Sequence, residues 1–111
     1  MEITPLTVDY YWTPDGRCPV REWRDEIGSE ETVDIIDGRI ARVRRGLLGH
    51  CDSIGGGLQG LKIDVGPGFR IYFGRKGTHL VLLLSAGDKS TQKADIKKAH
   101  EYWEDHQRRK L

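Results

Sequence analysis

The alternation of apolar and polar positions divides the chain into two regimes. Val8 to Trp12 is β-prone and aromatic, predicting an opening strand that begins as early as Ile3. Thr13-Pro14-Asp15-Gly16 then carries turn chemistry, with Pro setting φ and Gly accepting a positive value. Val20, Trp23 and Ile27 recur at helical spacing behind Pro19, predicting a short helix to about Ile27. After Gly28, Ser29 with Glu30 and Glu31 forms an N-cap and an acidic first turn. Val33, Ile36, Ile40, Val43 and Leu47 give this second helix one apolar face, and Gly38 within it suggests a close packing contact. Residues 49–60, rich in glycine, read as a flexible loop. They lack the Lys-Ser/Thr that completes a phosphate-cradling loop.

From Leu61 the period becomes two. Leu61, Ile63 and Val65 alternate with Lys62 and Asp64. Beyond Gly66-Pro67-Gly68, Phe69, Ile71 and Phe73 alternate with Arg70 and Tyr72, predicting a hairpin with one apolar face. Lys76-Gly77 makes the next turn. Leu80 to Ala86 is almost wholly apolar, as in a central strand covered on both sides. Gly87 to Thr91 leads into a last helix to about Arg109. The expected order is β-α-α-β-β-β-α, an α+β domain of residues 1–111 with an antiparallel sheet and helices packed on it.

Composition narrows the function classes. The chain is 37% hydrophobic and 32% charged. It has no run near the roughly 18 apolar residues of a membrane span. Met1 to Trp12 lacks a basic leader pattern, so a cytoplasmic protein is expected. Cys18 and Cys51 are expected as reduced thiols, since no Cys/His spacing suggests zinc. Charge is uneven: of 17 acidic and 18 basic residues, ten acids but three bases lie in residues 1–38, leaving +8 in the remainder. Such a split suggests a face for a polyanion.

Strand parity supplies the candidate chemistry. Lys62, Asp64, Arg70 and Tyr72 fall on the face opposite Leu61, Ile63, Phe69 and Ile71, and the apolar strand delivers Lys89 and Ser90 to one end of it. Cleavage of RNA by its own 2′-OH needs a proton acceptor, stabilisation of phosphoryl charge and a proton donor. Arg70 suits the charge-stabilising role through its fork of donors. Lys89 could share that role or act as acid, and Lys62 could be the base. Tyr72, Ser90 and Lys93, with Arg42 and Arg45 of the second helix, are candidate RNA contacts. Ion pairing with Asp64 or Asp88 would instead make these cations structural. His50 and His79 add little, and His100 is a minor candidate. No metal and no small-molecule cofactor is expected.

The segments Leu61-Lys62-Ile63, Gly66-Pro67-Gly68-Phe69-Arg70-Ile71-Tyr72-Phe73 and Leu82 to Gln92 with Asp95-Ile96 resemble the phage-derived killer-protein branch of the RelE/HigB/ParE toxin superfamily. Arg21-Glu22-Trp23 also fits, so the resemblance runs from about Val8 to Ala99. It implies a compact RNase-like α+β fold and a cognate antitoxin, of helix-turn-helix type and encoded in the neighbouring frame. For RelE and HigB members it also implies ribosome-dependent mRNA cleavage. The family's basic residues map to Arg70 and Lys89, and more loosely to Lys62. The chain departs from RelE in having no clear Tyr at the start of the last helix, and it lacks the His cluster of some HigB toxins. A ParE-like DNA gyrase inhibitor and a non-toxic phage accessory binding module are the alternatives.

Overall fold

A computed structural model describes residues 4–109, so the proposed strand start at Ile3 and both extreme ends of the 1–111 domain lie outside the described residues. The elements are β1 (Thr7–Tyr10), α1 (Pro19–Glu26), α2 (Glu30–Arg44), β2 (Cys51–Gly55), β3 (Leu58–Ile63), β4 (Phe69–Lys76), β5 (Leu80–Asp88), a 3-10 turn (Lys89–Thr91) and α3 (Gln92–Arg109). They form an α+β fold with a mixed five-stranded sheet in the order β1-β5-β4-β3-β2. Two expectations about the sheet need correction. The sheet is not wholly antiparallel, because β1 pairs with β5 in parallel. The 49–60 segment is not simply a loop, because Cys51 to Gly55 pairs antiparallel with β3.

The reason lies in the local chemistry. Gly55, Gly56 and Gly57 all adopt positive φ, which lets the chain reverse tightly between two strands. Their glycines therefore mark a hairpin turn instead of an unstructured stretch. The Ser29 hydroxyl caps α2 by accepting from the Thr32 amide at 3.3 Å, as its position implied. Gly38 is exposed, and a Cβ there would meet nothing within 4 Å. The close contact suggested at that position is absent.

Two apolar layers sandwich the sheet. Val20 of α1 and Ile36, Ile40 and Val43 of α2 pack on Leu61, Ile63, Ile71, Phe73, Val81 and Leu83. On the other face, Ala99 of α3 packs with Leu58, Tyr72, Leu82 and Leu84, joined by Ile96, Tyr102 and Trp103. Val81 to Ser85 is buried throughout, as expected of a strand covered from both sides. A register shift opposite Tyr72 and Phe73 places two residues of β5 steps against one of β4, and this bulge keeps Leu82 and Leu84 on the α3 face.

α1 and α2 are clamped by a two-pronged Arg24–Asp37 pair at 2.8 and 2.6 Å. α3 is fixed at its far end by the Tyr11 hydroxyl, which donates to Asp105 at 2.6 Å, with Tyr11 stacked on Tyr102 at 4.8 Å. Both cysteines are free thiols. Among the described residues no helix is long and apolar enough to cross a membrane.

Candidate functional site

The β3–β4 register sets Lys62 directly opposite Arg70, and the β4–β5 register sets Arg70 opposite Gly87. Parity puts this row on the face that α3 covers further along the sheet. α3 packs mainly on β5 and β4 and reaches the β2–β3 turn at Leu58, Ile54 and Gly56, while the other end of β3, at Lys62, stays partly exposed. Lys62 is 24% exposed and donates to Asp52 of β2 at 2.6 Å. His50 Nε2 lies 3.9 Å from the same carboxylate. The Lys62 hydrogen bond, with the Lys62, His50 and Arg70 charges, holds Asp52 below the ordinary carboxylate range. The Arg70 guanidinium forms no hydrogen bond or salt bridge with the described residues and remains half-buried at the surface.

Lys89 is exposed, and its stem lies over Gly68, whose φ is +80°. A Cβ at Gly68 would come within 3.0 Å of Lys89 Cε, so this glycine serves both the turn and the lysine's path. Lys89 thus sits by the β3–β4 connection, at the same end of the sheet as Arg70. Ser90 is less free than expected: its hydroxyl and amide both donate to Asp88, at 2.5 and 2.8 Å. These bonds hold Asp88 below its usual range. Lys93 is exposed on the first turn of α3, and Asp64 is exposed just past β3.

Tyr72 is 1% exposed. Its ring belongs to the core beneath α3, so it offers no surface on which a base could stack. Burial raises its phenol above the ordinary value, and its hydroxyl has no partner among the described residues. The alternation placed Tyr72 on the right face, but α3 covers that part of it. Arg42 of α2 and Arg45, which caps its C-terminus, are exposed, and α2 packs on the opposite face of the sheet. They do not share the Arg70 surface.

Three paired or buried polar groups were given no role in the sequence reading. Asp52 was hidden in the supposed loop, although Cys51 and Ile54 flank it with strand-like polarity. Asp95 is 8% exposed and accepts from the Thr91 hydroxyl at 2.5 Å, while its carbonyl accepts from Ser85 at 2.7 Å. Burial raises its carboxyl above the ordinary range. Gly87 leaves room for that carboxylate, since a Cβ there would overlap it. The Thr91–Asp95 spacing in a first helical turn was the available signal. The third is His106, 9% exposed at the far end of α3, 3.2 Å from Lys76. His100, the minor candidate, is used structurally: its Nε2 is 3.1 Å from the Ile54 carbonyl and its ring lies against Gly56.

The chain is 39% identical over 77 residues to an uncharacterized protein of Haemophilus influenzae, covering 69% of this chain and 78% of that protein. No protein-family model matches the chain, and no solved structure matches it.

Proposed function

Because the chain belongs to the family of the uncharacterized Haemophilus influenzae protein, whose name carries no activity, we propose a function from the site itself: a ribosome-associated mRNA endoribonuclease, the toxin of a type II toxin–antitoxin pair. The observation that carries this reading is the cross-strand Lys62–Arg70 pair left uncovered by α3. Two cations on one rigid sheet surface suit a phosphodiester, and Arg70 retains its donors for it. The motif likeness to RelE and HigB toxins supports the same reading, and a RelE-like topology for the α+β fold is part of the proposal.

In this mechanism the 2′-oxygen attacks the adjacent phosphorus and the 5′-oxygen departs. Arg70 stabilises charge on the equatorial oxygens, the group that becomes more negative in the transition state. Lys62, ion-paired with Asp52, suits electrostatic support and proton donation to the leaving oxygen better than proton abstraction. Lys89 adds positive charge where the RNA enters. The base is left to the ribosome or the RNA itself. Such a protein works in the cytoplasm, held in check by a helix-turn-helix antitoxin from the neighbouring frame.

Induced expression followed by mapping of mRNA 5′ ends tests the reading. New cuts and growth arrest are expected, both lost in a folded Arg70→Ala variant. Intact mRNA with blocked gyrase supercoiling would replace this reading with the ParE-like one. Neither effect would leave an accessory binding role.

A further inference from the structure

A second surface, on the β1 side of the molecule, owes nothing to Arg70. Two adjoining clefts share Tyr10 and Arg21. One, of about 500 Å³, lies among β1, α1 and α2, with Ile40 in its wall and Arg24 and Arg44 among its lining. The other, of about 470 Å³, continues past the end of β1 toward Trp12 and Arg109. Clefts of this size hold ligand units of a few hundred daltons.

The charged groups differ in how far they are committed. Arg24 is neutralised by Asp37. Arg109 is tied to Asp105 at 2.7 Å and donates to the Trp12 carbonyl at 2.5 Å. Arg21 and Arg44 form no salt bridge with the described residues. Arg21 lies over the Tyr10 ring, its guanidinium carbon 5.3 Å from the ring centroid, and the side chain is exposed to solvent. Trp12 is 48% exposed at the other end. Asp9, Asp25 and Asp37 line the same clefts, and Arg44 helps to hold Asp37 below its ordinary range, so the surface is a mixed one in which Arg21 sits on an aromatic ring.

We propose that this groove binds single-stranded RNA, with successive bases stacking on Trp12 and on the Arg21–Tyr10 pair and the backbone running past Arg44. Flat stacking groups spaced along a groove with unneutralised arginines are what a single strand requires, because every base has a face to stack and every linkage a charge. An acidic peptide would use the arginines but would have no use for an exposed indole and a guanidinium laid on a phenol. The surface is separate from the Lys62–Arg70 row, which lies at the opposite end of β4 from Lys76.

Titration of the full chain with a ten-nucleotide 2′-O-methyl uridine oligomer, which cannot be cut through its 2′ position, keeps this test independent of catalysis. The Trp12 indole and Arg21 Nε resonances are expected to shift in a saturable manner, with affinity falling steeply as salt rises. A ten-residue polyglutamate peptide should leave both in place. Arg21→Gln should weaken the oligomer about tenfold without changing the urea midpoint. Shifts confined to Lys62 and Arg70, no shifts, or equal shifts with the peptide would each overturn the proposal.

Discussion

Replacing Gly87 with Ala tests how α3 is seated beside the Lys62–Arg70 row. The added methyl would overlap the Asp95 carboxylate and come about 2.6 Å from Thr91 Oγ1. Either the first turn of α3 moves or β5 does. Overpacking of this kind costs about 1–3 kcal/mol. Displacing Asp95 also breaks its bond from Thr91, and hydrogen bonds to charged groups contribute about 1.5–3 kcal/mol. The two losses share one displacement and do not simply add, so about 3 kcal/mol is expected. With a urea slope of about 2 kcal/mol/M, the midpoint should fall by about 1.5 M. Urea unfolding followed by circular dichroism measures this. The double variant Gly87→Ala with Asp95→Ala should recover at least about 1 kcal/mol relative to the sum of the two single effects. A midpoint within about 0.3 M of the parent, at unchanged slope, would refute the claim that Gly87 exists to admit Asp95.

Gly38→Ala should act in the opposite direction, since its helix site is open and exposed; a gain of about 0.5–1 kcal/mol by urea unfolding is expected. Tyr72→Phe removes a buried hydroxyl that has no described partner, so stability should hold or rise by about 1 kcal/mol, and a marked loss would show that the hydroxyl is paired. His106 lies between burial and the charges of Lys76 and Arg109, opposed by Asp105, and its pKa is lowered from 6.5. Its folded value is below the unfolded one, so its contribution is present above pH 6.5 and is lost as pH falls from there toward the folded value. His106→Leu should flatten the fall in thermal midpoint below pH 6.5, and an unchanged slope would assign that fall to other groups.

Legibility in the sequence tracked how local each signal was. Helix starts at Pro19 and Ser29 and the 66–68 turn were readable because capping and positive φ are decided by a few adjacent residues. The Lys62–Arg70 pairing was readable because a single short connection fixes the hairpin register. The parallel β1–β5 contact was not readable, since it joins Thr7 to Leu80 and nothing near either residue encodes it. The burial of Tyr72 was likewise invisible: period two assigns a side chain to a face, but only the path of α3 decides which part of that face meets water. β2 was missed because the glycines of its turn outweighed the alternation at Cys51 to Ile54.

That path of α3 is itself written in small residues on one face of the sheet. At Gly74 a Cβ would stand 2.5 Å from the Trp103 ring, and at Gly60 it would stand 3.0 Å from the Tyr72 ring. Gly87 does the same service for Asp95. Trp103 can therefore sink onto β4 and Asp95 onto β5, drawing the helix along those two strands. Seated there, α3 does not extend over Lys62, while His100 reaches out to hold the β2–β3 hairpin at Ile54. A larger residue at position 74 would lift the Trp103 end and tilt the helix, and the open end of the sheet would change shape with it. The exposure of the Lys62–Arg70 row is thus a consequence of packing at positions that carry no chemistry of their own. On the proposed endoribonuclease reading, substitutions at Gly74 and Gly87 should alter the mRNA cuts mapped after induced expression even with every charged side chain of the row intact.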